Sequence, residues 1–209
     1  MNLRLLIADD HAVVRAGLRA LLESHKGWEV CAEAADGREA VEKATRLRPD
    51  VIILDIGMPL LNGVESARRI HKALPQSEIL VLTMHESDEL VQQVVEAGAR
   101  GYILKDEADR VLLAAVDALR QHKPYFSTRV SDAAEVCEGS KPSRSRLTPR
   151  EREILQLLAE GKSNKEVASL LNISVNTAEA HRANIMLKLD LRSLADLVMY
   201  AVRNKIIQP

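Results

Sequence analysis

LRLLIADD, residues 3–10, is an apolar run that closes on two carboxylates, and the same design recurs along the first 120 residues. VIILD (51–55) ends on Asp55, ILVLT (79–83) on Thr83 and GYILK (101–105) on Lys105. These runs are short, rich in Val, Ile and Leu, and barely alternate in polarity, which predicts strands buried on both faces. With one further run the predicted strands are 4–8, 29–33, 51–54, 79–82 and 101–104. Helix-period segments follow them at about 12–24, 37–47, 63–73, 87–97 and 107–121; in the first, Val13, Val14, Leu18, Leu21 and Leu22 share an apolar face. Asn62-Gly63 and Gly98 supply turn chemistry. Five β-α alternations predict a doubly wound, five-stranded parallel sheet with helices on both faces.

Such sheets bind ligands beyond the carboxyl ends of their strands. Asp9, Asp10, Asp55, Thr83 and Lys105 all fall there. Three crowded carboxylates repel one another and call for a hard divalent cation such as Mg²⁺. Lys105 adds a point charge suited to phosphate oxygens, Thr83 a hydrogen-bond donor, and Asp55 a carboxylate able to form an acyl phosphate. Taken singly, an Asp at a strand end is more often a cap, and a lone Lys a solvated charge. The coincidence at four strand ends is what points to a metal-assisted phosphoryl-acceptor site.

After residue 121 the periodicity fades into a stretch rich in Pro, Ser, Gly and charge, so 1–121 reads as one domain and 122–146 as a linker, its latter part, 129–146, flexible. Residues 147–209 read as a second, all-α domain of four helices. Thr148-Pro149-Arg150-Glu151 carries a capping box with Pro at the first helical position, and Ser163…Glu166 carries another. Ser174 caps a third helix over about 175–189, and Ser193…Asp196 opens a fourth with Asp where Glu is usual.

The charge follows this division. Residues 141–209 hold 12 Lys+Arg against 7 Asp+Glu, whereas the chain as a whole carries a net −1. An acidic front and a basic back point to an anionic partner for the back. Only five residues are aromatic, which disfavours recognition of single strands by base stacking. No apolar run reaches the ~20 residues of a membrane span, the N-terminus does not read as a signal peptide, and Cys31 and Cys137 lack paired metal spacing. A cytoplasmic protein without membrane contact is the expectation.

The motifs IADDH (7–11), LDIGMP (54–59), LNG (61–63), VLT (81–83) and GYILKD (101–106) resemble those of the receiver domain of two-component response regulators. The resemblance implies a flavodoxin-like fold with Asp55 as phosphoacceptor. Asp10, Asp55 and the Gly57 carbonyl are then direct Mg²⁺ ligands, and Asp9 acts largely through water. Thr83 and Tyr102 are the implied switch pair, Tyr102 turning inward as Thr83 moves to the phosphoryl group. Many receivers follow the Lys with Pro, whereas Asp106 stands here.

Residues 147–205 resemble the LuxR-type helix-turn-helix, so the whole chain is similar to the NarL/FixJ subfamily of response regulators. Along 175–189, Ala178, Arg182, Ile185 and Leu189 fall on one side, and Asn176, Glu179, Ala180, Ala183 and Leu187 opposite. The second side is the one expected in the major groove of double-stranded DNA. By resemblance, Glu179, Ala180 and Ala183 meet base edges, while Thr177, Asn184 and Lys188 flank them at phosphates. His181 reads as a structural hydrogen-bonding residue.

The reading is a phosphorylation-dependent transcription regulator. A sensor histidine kinase donates to Asp55, the DNA-binding domain is released or paired, and a homodimer binds DNA; before that, the receiver is expected to cover part of the DNA helix. The alternative keeps DNA binding but makes the receiver a phosphorylation-independent dimerisation module. An aspartate-nucleophile phosphohydrolase is disfavoured, since the position two residues after Asp55, where an acid/base carboxylate is needed, is Gly57. No enzymatic activity beyond self-phosphorylation and self-dephosphorylation is expected, with Gly57 and His85 flanking the water path.

Overall fold

The computed structural model describes residues 2–84, 88–127 and 147–207. Its sheet consists of β1 (Leu3–Ala8), β2 (Trp28–Ala34), β3 (Val51–Asp55), β4 (Glu78–Thr83), β5 (Gly101–Leu104) and β6 (Tyr125–Phe126), in the order β2-β1-β3-β4-β5-β6. Every pairing is parallel. The expected five strands are all present, and the sixth is a correction, since it lies where the linker was expected to begin. Two residues are too few for periodicity to reveal. They are recruited by the open edge of β5: the Tyr125 N–H donates to the Arg100 carbonyl at 2.9 Å and the Ser127 N–H to Tyr102 at 3.1 Å. The stretch 129–146, expected to be flexible, lies outside the described residues.

The helices of this half are α1 (Ala12–Glu23), α2 (Gly37–Leu47), α3 (Gly63–Ala73), α4 (Asp88–Glu96) and α5 (Ala108–Arg120). The non-alternating strands are explained by two apolar layers. Leu6, Ile52, Leu54 and Val81 face Val64, Ile70, Val91 and Val94 on one side of the sheet. Leu5, Ile7, Ile53 and Leu80 face Leu18, Leu22, Leu112 and Leu119 on the other. Each strand residue is therefore needed by one layer or the other.

The second half holds α6 (Pro149–Ala159), α7 (Asn164–Leu171), α8 (Val175–Leu189) and α9 (Leu194–Arg203) around Ile154, Leu158, Val167, Ile185 and Leu197. The predicted caps form. Thr148, Ser163 and Ser193 each complete a capping box, the last with Asp196, and Ser174 accepts from the Thr177 N–H. Asn172, at φ 52°, makes the turn between α7 and α8. Glu151 does two jobs: it closes the first box on the Thr148 N–H at 2.8 Å, and both its oxygens meet Lys188 Nζ at 2.7 and 2.8 Å. Burial would raise its pKa, but Lys188 and the Thr148 N–H and hydroxyl hold it below the usual glutamate range. Glu151→Ala should therefore lower the stability of this domain by about 1–2 kcal/mol, the sum of a cap and one ion pair. The difference from wild type should be full at neutral pH and vanish as pH falls through the depressed folded pKa. Urea melts at pH 7 and pH 3 that give the same difference would contradict this account.

The halves meet along α6. Glu153, on that helix, has a side chain only 1% exposed, and its carboxylate gathers three guanidinium groups. Arg38 of α2 reaches it at 2.9 Å, Arg69 of α3 at 2.8 Å and Arg150 of its own helix at 2.9 Å. Arg38 also donates to the Leu170 carbonyl at 2.6 Å. A buried carboxylate needs such pairing to offset its lost hydration. Leu60, between β3 and α3, packs against the apolar core of the second half.

Candidate phosphoacceptor site and DNA-reading helix

The sheet switches direction between β1 and β3, and the acidic residues converge at that point, where a doubly wound fold leaves a crevice. Asp55 ends β3 and is 1% exposed, Asp9 follows β1 and is fully buried, and Asp10 is partly exposed. Lys105 Nζ lies 2.6 Å from Asp9 Oδ2 and 3.0 Å from Asp55 Oδ1. Beyond Lys105 polar capacity is left unused among the described residues: Asp55 Oδ2 is buried without a partner, and Asp9 Oδ2 and Asp55 Oδ1 have only the lysine. Burial pushes the Asp55 carboxyl above its ordinary pKa; Lys105 opposes the shift, while Asp9 and Asp10 add to it. Burial acts to lower the Lys105 pKa, but its contacts with Asp9 and Asp55 outweigh that and raise it, keeping the ammonium charged.

His11, quoted within IADDH but given no role there, joins the cluster. Its N–H donates to Asp9 Oδ1 at 2.9 Å, and its Nδ1 lies 2.8 Å from Asp10 Oδ1. The ligating atoms of Asp9, Asp10 and His11 lie within 4.8 Å of one another. Oxygen-rich, partly unsatisfied and open on one side, the site fits a hard divalent cation. Gly57 lines a cavity of about 290 Å³ together with Asp10 and His11. Thr83 ends β4 at 3% exposure, and Tyr102 on β5 is fully buried. Lys105 opens a 3-10 turn over Lys105–Glu107, and no described peptide bond is cis, so the Lys105–Asp106 bond is trans. His85 lies outside the described residues.

On α8, Ala178, Ile185 and Leu189 are buried and Arg182 is half-buried, as the helical spacing requires. Asn176, Thr177, Glu179, Ala180, Ala183, Asn184 and Lys188 are exposed, with Leu187 82% exposed beside them. Lys188, expected at phosphates, is committed to Glu151. Among the described residues, the first half of the chain does not cover this face. It holds α6 instead, which corrects the expectation of a covered DNA helix; the physical reason is the buried polar contact that Glu153 makes with α2 and α3.

Two family models divide the chain. Residues 5–117 match "Response regulator receiver domain", and residues 145–201 match "Bacterial regulatory proteins, luxR family". The chain is a response regulator with a LuxR-type output domain. Among its relatives, the oxygen regulatory protein NreC of Staphylococcus epidermidis is 40% identical over 99% of this chain and all of its own length. The transcriptional regulatory protein MctR of Rhizobium johnstonii is 39% identical over 99% of this chain and 96% of its own. Among solved structures, RcsB of Salmonella enterica serovar Typhimurium, bound to a promoter with the phosphomimetic BeF₃⁻, matches at 30% identity and a TM-score of 0.63. It covers 96% of this response regulator and 98% of the RcsB chain. Among the described residues, no helix is long and apolar enough to cross a membrane.

Sequence reasoning missed the residues that join the two halves of the regulator. Glu153 and Gln156 are buried, yet they lie on the polar side of the α6 pattern, where charge and amide ordinarily mean solvent. Their signal in the sequence is nil, because only the receiver surface tells them from a solvated helix face.

Proposed function

We propose that the protein is a transcription regulator switched by phosphorylation of Asp55. The observation that carries this reading is the buried Asp55 carboxylate, ion-paired to Lys105 with its oxygens otherwise unsatisfied, at the mouth of a crevice. Asp55 Oδ attacks phosphorus, the P–N bond of a kinase phosphohistidine breaks, and the imidazole leaves with the bonding pair. Asp9, Asp10, Asp55 and the Gly57 carbonyl would hold Mg²⁺, which supplies positive charge to the phosphoryl oxygens. Lys105 adds a fixed cation on the same side. Thr83 donates to a phosphoryl oxygen, with Tyr102 filling the space behind it.

The output is double-stranded DNA. Residues 147–209 are the DNA-binding domain, 1–121 with β6 the receiver, and what lies between is the linker. Glu179, Ala180 and Ala183 face base edges; glutamate accepts from cytosine N4 and alanine touches a thymine methyl. Asn176 lies on the same groove-facing side, Thr177 and Asn184 flank it at phosphates, and Lys188 joins them once it exchanges Glu151 for the backbone. A glutamate in the groove weakens each half-site, so two copies acting together give the usable affinity. The partners are a sensor histidine kinase, DNA and a second copy, in the cytoplasm, and the protein turns over no other substrate.

Light scattering with Mg²⁺ and beryllofluoride tests this. The mass should double, and chelating Mg²⁺ should return it to that of the monomer. A mass indifferent to both would favour a receiver that pairs, or stays single, without phosphate.

A further inference from the structure

Two side chains of the DNA-binding domain hold the receiver loop that leaves the phosphoacceptor. Gln156 is 1% exposed in the middle of α6. Its Oε1 accepts from the Asn62 N–H at 2.9 Å, and its Nε2 donates to the Met58 carbonyl at 3.0 Å and to Glu160 Oε1 at 2.8 Å. Glu160, one turn on, accepts from the Leu60 N–H at 3.1 and 3.3 Å. Three backbone groups between residues 58 and 62 are thus fixed by residues about a hundred positions away. Leu60 sits at φ 64°, a conformation leucine rarely adopts unless its surroundings impose it.

This loop starts at Ile56, next to Asp55, and contains Gly57. Glu160 and Ile207 form one wall of the 290 Å³ cavity whose other wall is Asp10, His11, Gly57 and Pro59. A phosphodonor is an anion, and transfer adds a further negative charge to Asp55. A carboxylate on that wall repels both. The clamp also resists any loop adjustment that the phosphorylated site requires.

We propose that Gln156 and Glu160 are positioning residues for phosphoryl transfer, through which the DNA-binding domain restrains phosphorylation of its own receiver. The inference rests on Asp55 being the acceptor. Closure and phosphoryl occupancy then oppose each other, and linkage requires the opposition to run both ways.

The test uses full-length protein, Mg²⁺ and acetyl phosphate at graded concentrations, with incorporation followed on phosphate-affinity gels. Asp55 Oδ bonds to phosphorus while the P–O bond to acetate breaks, acetate leaving with the electron pair. Gln156→Ala with Glu160→Ala should lower the half-saturating donor concentration about fivefold, and Glu160→Gln about twofold, the maximal rate moving less in both. Glu160→Gln keeps an acceptor oxygen for the Leu60 N–H, so it isolates charge and stands in if the double variant fails to fold. In wild type, beryllofluoride should accelerate hydrogen exchange in a peptide spanning residues 58–62, which a merely structural clamp would not allow. Unchanged half-saturation in Glu160→Gln together with unchanged exchange overturns the proposal. Wild-type protein that takes up no phosphoryl group, or takes it up equally as Asp55→Asn, would instead overturn the assignment of Asp55.

Discussion

Asp55→Asn is expected to abolish phosphoryl incorporation from acetyl phosphate and every donor-dependent change in mass or DNA affinity. The amide has nearly the shape of the carboxylate but no anionic oxygen to attack phosphorus. The fold should not suffer. Burial raises the Asp55 pKa, which means that the folded chain holds this charge at a cost. A neutral group there relieves that cost, and Lys105 keeps Asp9 as its partner at 2.6 Å. The variant should therefore melt at or above the wild-type temperature at pH 7 while failing to respond to donor. Residual donor-stimulated DNA binding would mean that the switch does not run through Asp55; a large fall in melting temperature would mean that the carboxylate is structural.

The second large effect is expected at Gly63. It opens α3 directly behind Asp55, its N–H donating to the Ile56 carbonyl at 2.9 Å. A Cβ there would lie 2.1 Å from the Asp55 carbonyl oxygen and 2.8 Å from Ile56 Cα. Both obstacles are backbone and cannot swing aside. Gly63→Ala must push α3 away from β3, with a loss on the order of 3 kcal/mol and a displaced Asp55. Gly17 provides the contrast: it lies within α1 with nothing within 4 Å of its would-be Cβ, so Gly17→Ala should stabilise by about 0.5–1 kcal/mol. Urea denaturation of the two variants checks the pair, and a Gly63→Ala midpoint equal to wild type would show that the close approach is not real.

What the sequence made legible was whatever repeats or carries charge at a fixed place in a pattern. The strands announced themselves because both faces of the sheet are dry, leaving Ile52, Ile53 and Leu54 no room to alternate. The caps announced themselves because a helix end needs a side-chain acceptor within three residues, which is local chemistry. The acidic site was readable because four strand ends carried its groups. Tyr125 and Phe126 were not readable, since an edge strand two residues long is defined by what β5 offers rather than by its own pattern. Neither were the buried Glu153 and Gln156 and the half-buried Glu160, whose places are owed to Arg38, Arg69 and the 58–62 backbone, a surface more than eighty residues away in the chain. His11 was visible but mute, because a histidine after two aspartates says nothing of where its ring turns.

Leu60 has a consequence for any attempt to exchange modules. Two-domain regulators invite hybrids cut in the stretch between the halves and joined to a foreign output domain. Here such a hybrid would inherit a leucine at φ 64° whose N–H, side chain and flanking carbonyl all lean on the domain just discarded. Without counterparts of Gln156 and Glu160 the loop beside Asp55 would relax, and the receiver would take its donor on different terms even with every one of its own residues intact. The transplantable unit is thus not the receiver alone but the receiver together with one face of α6.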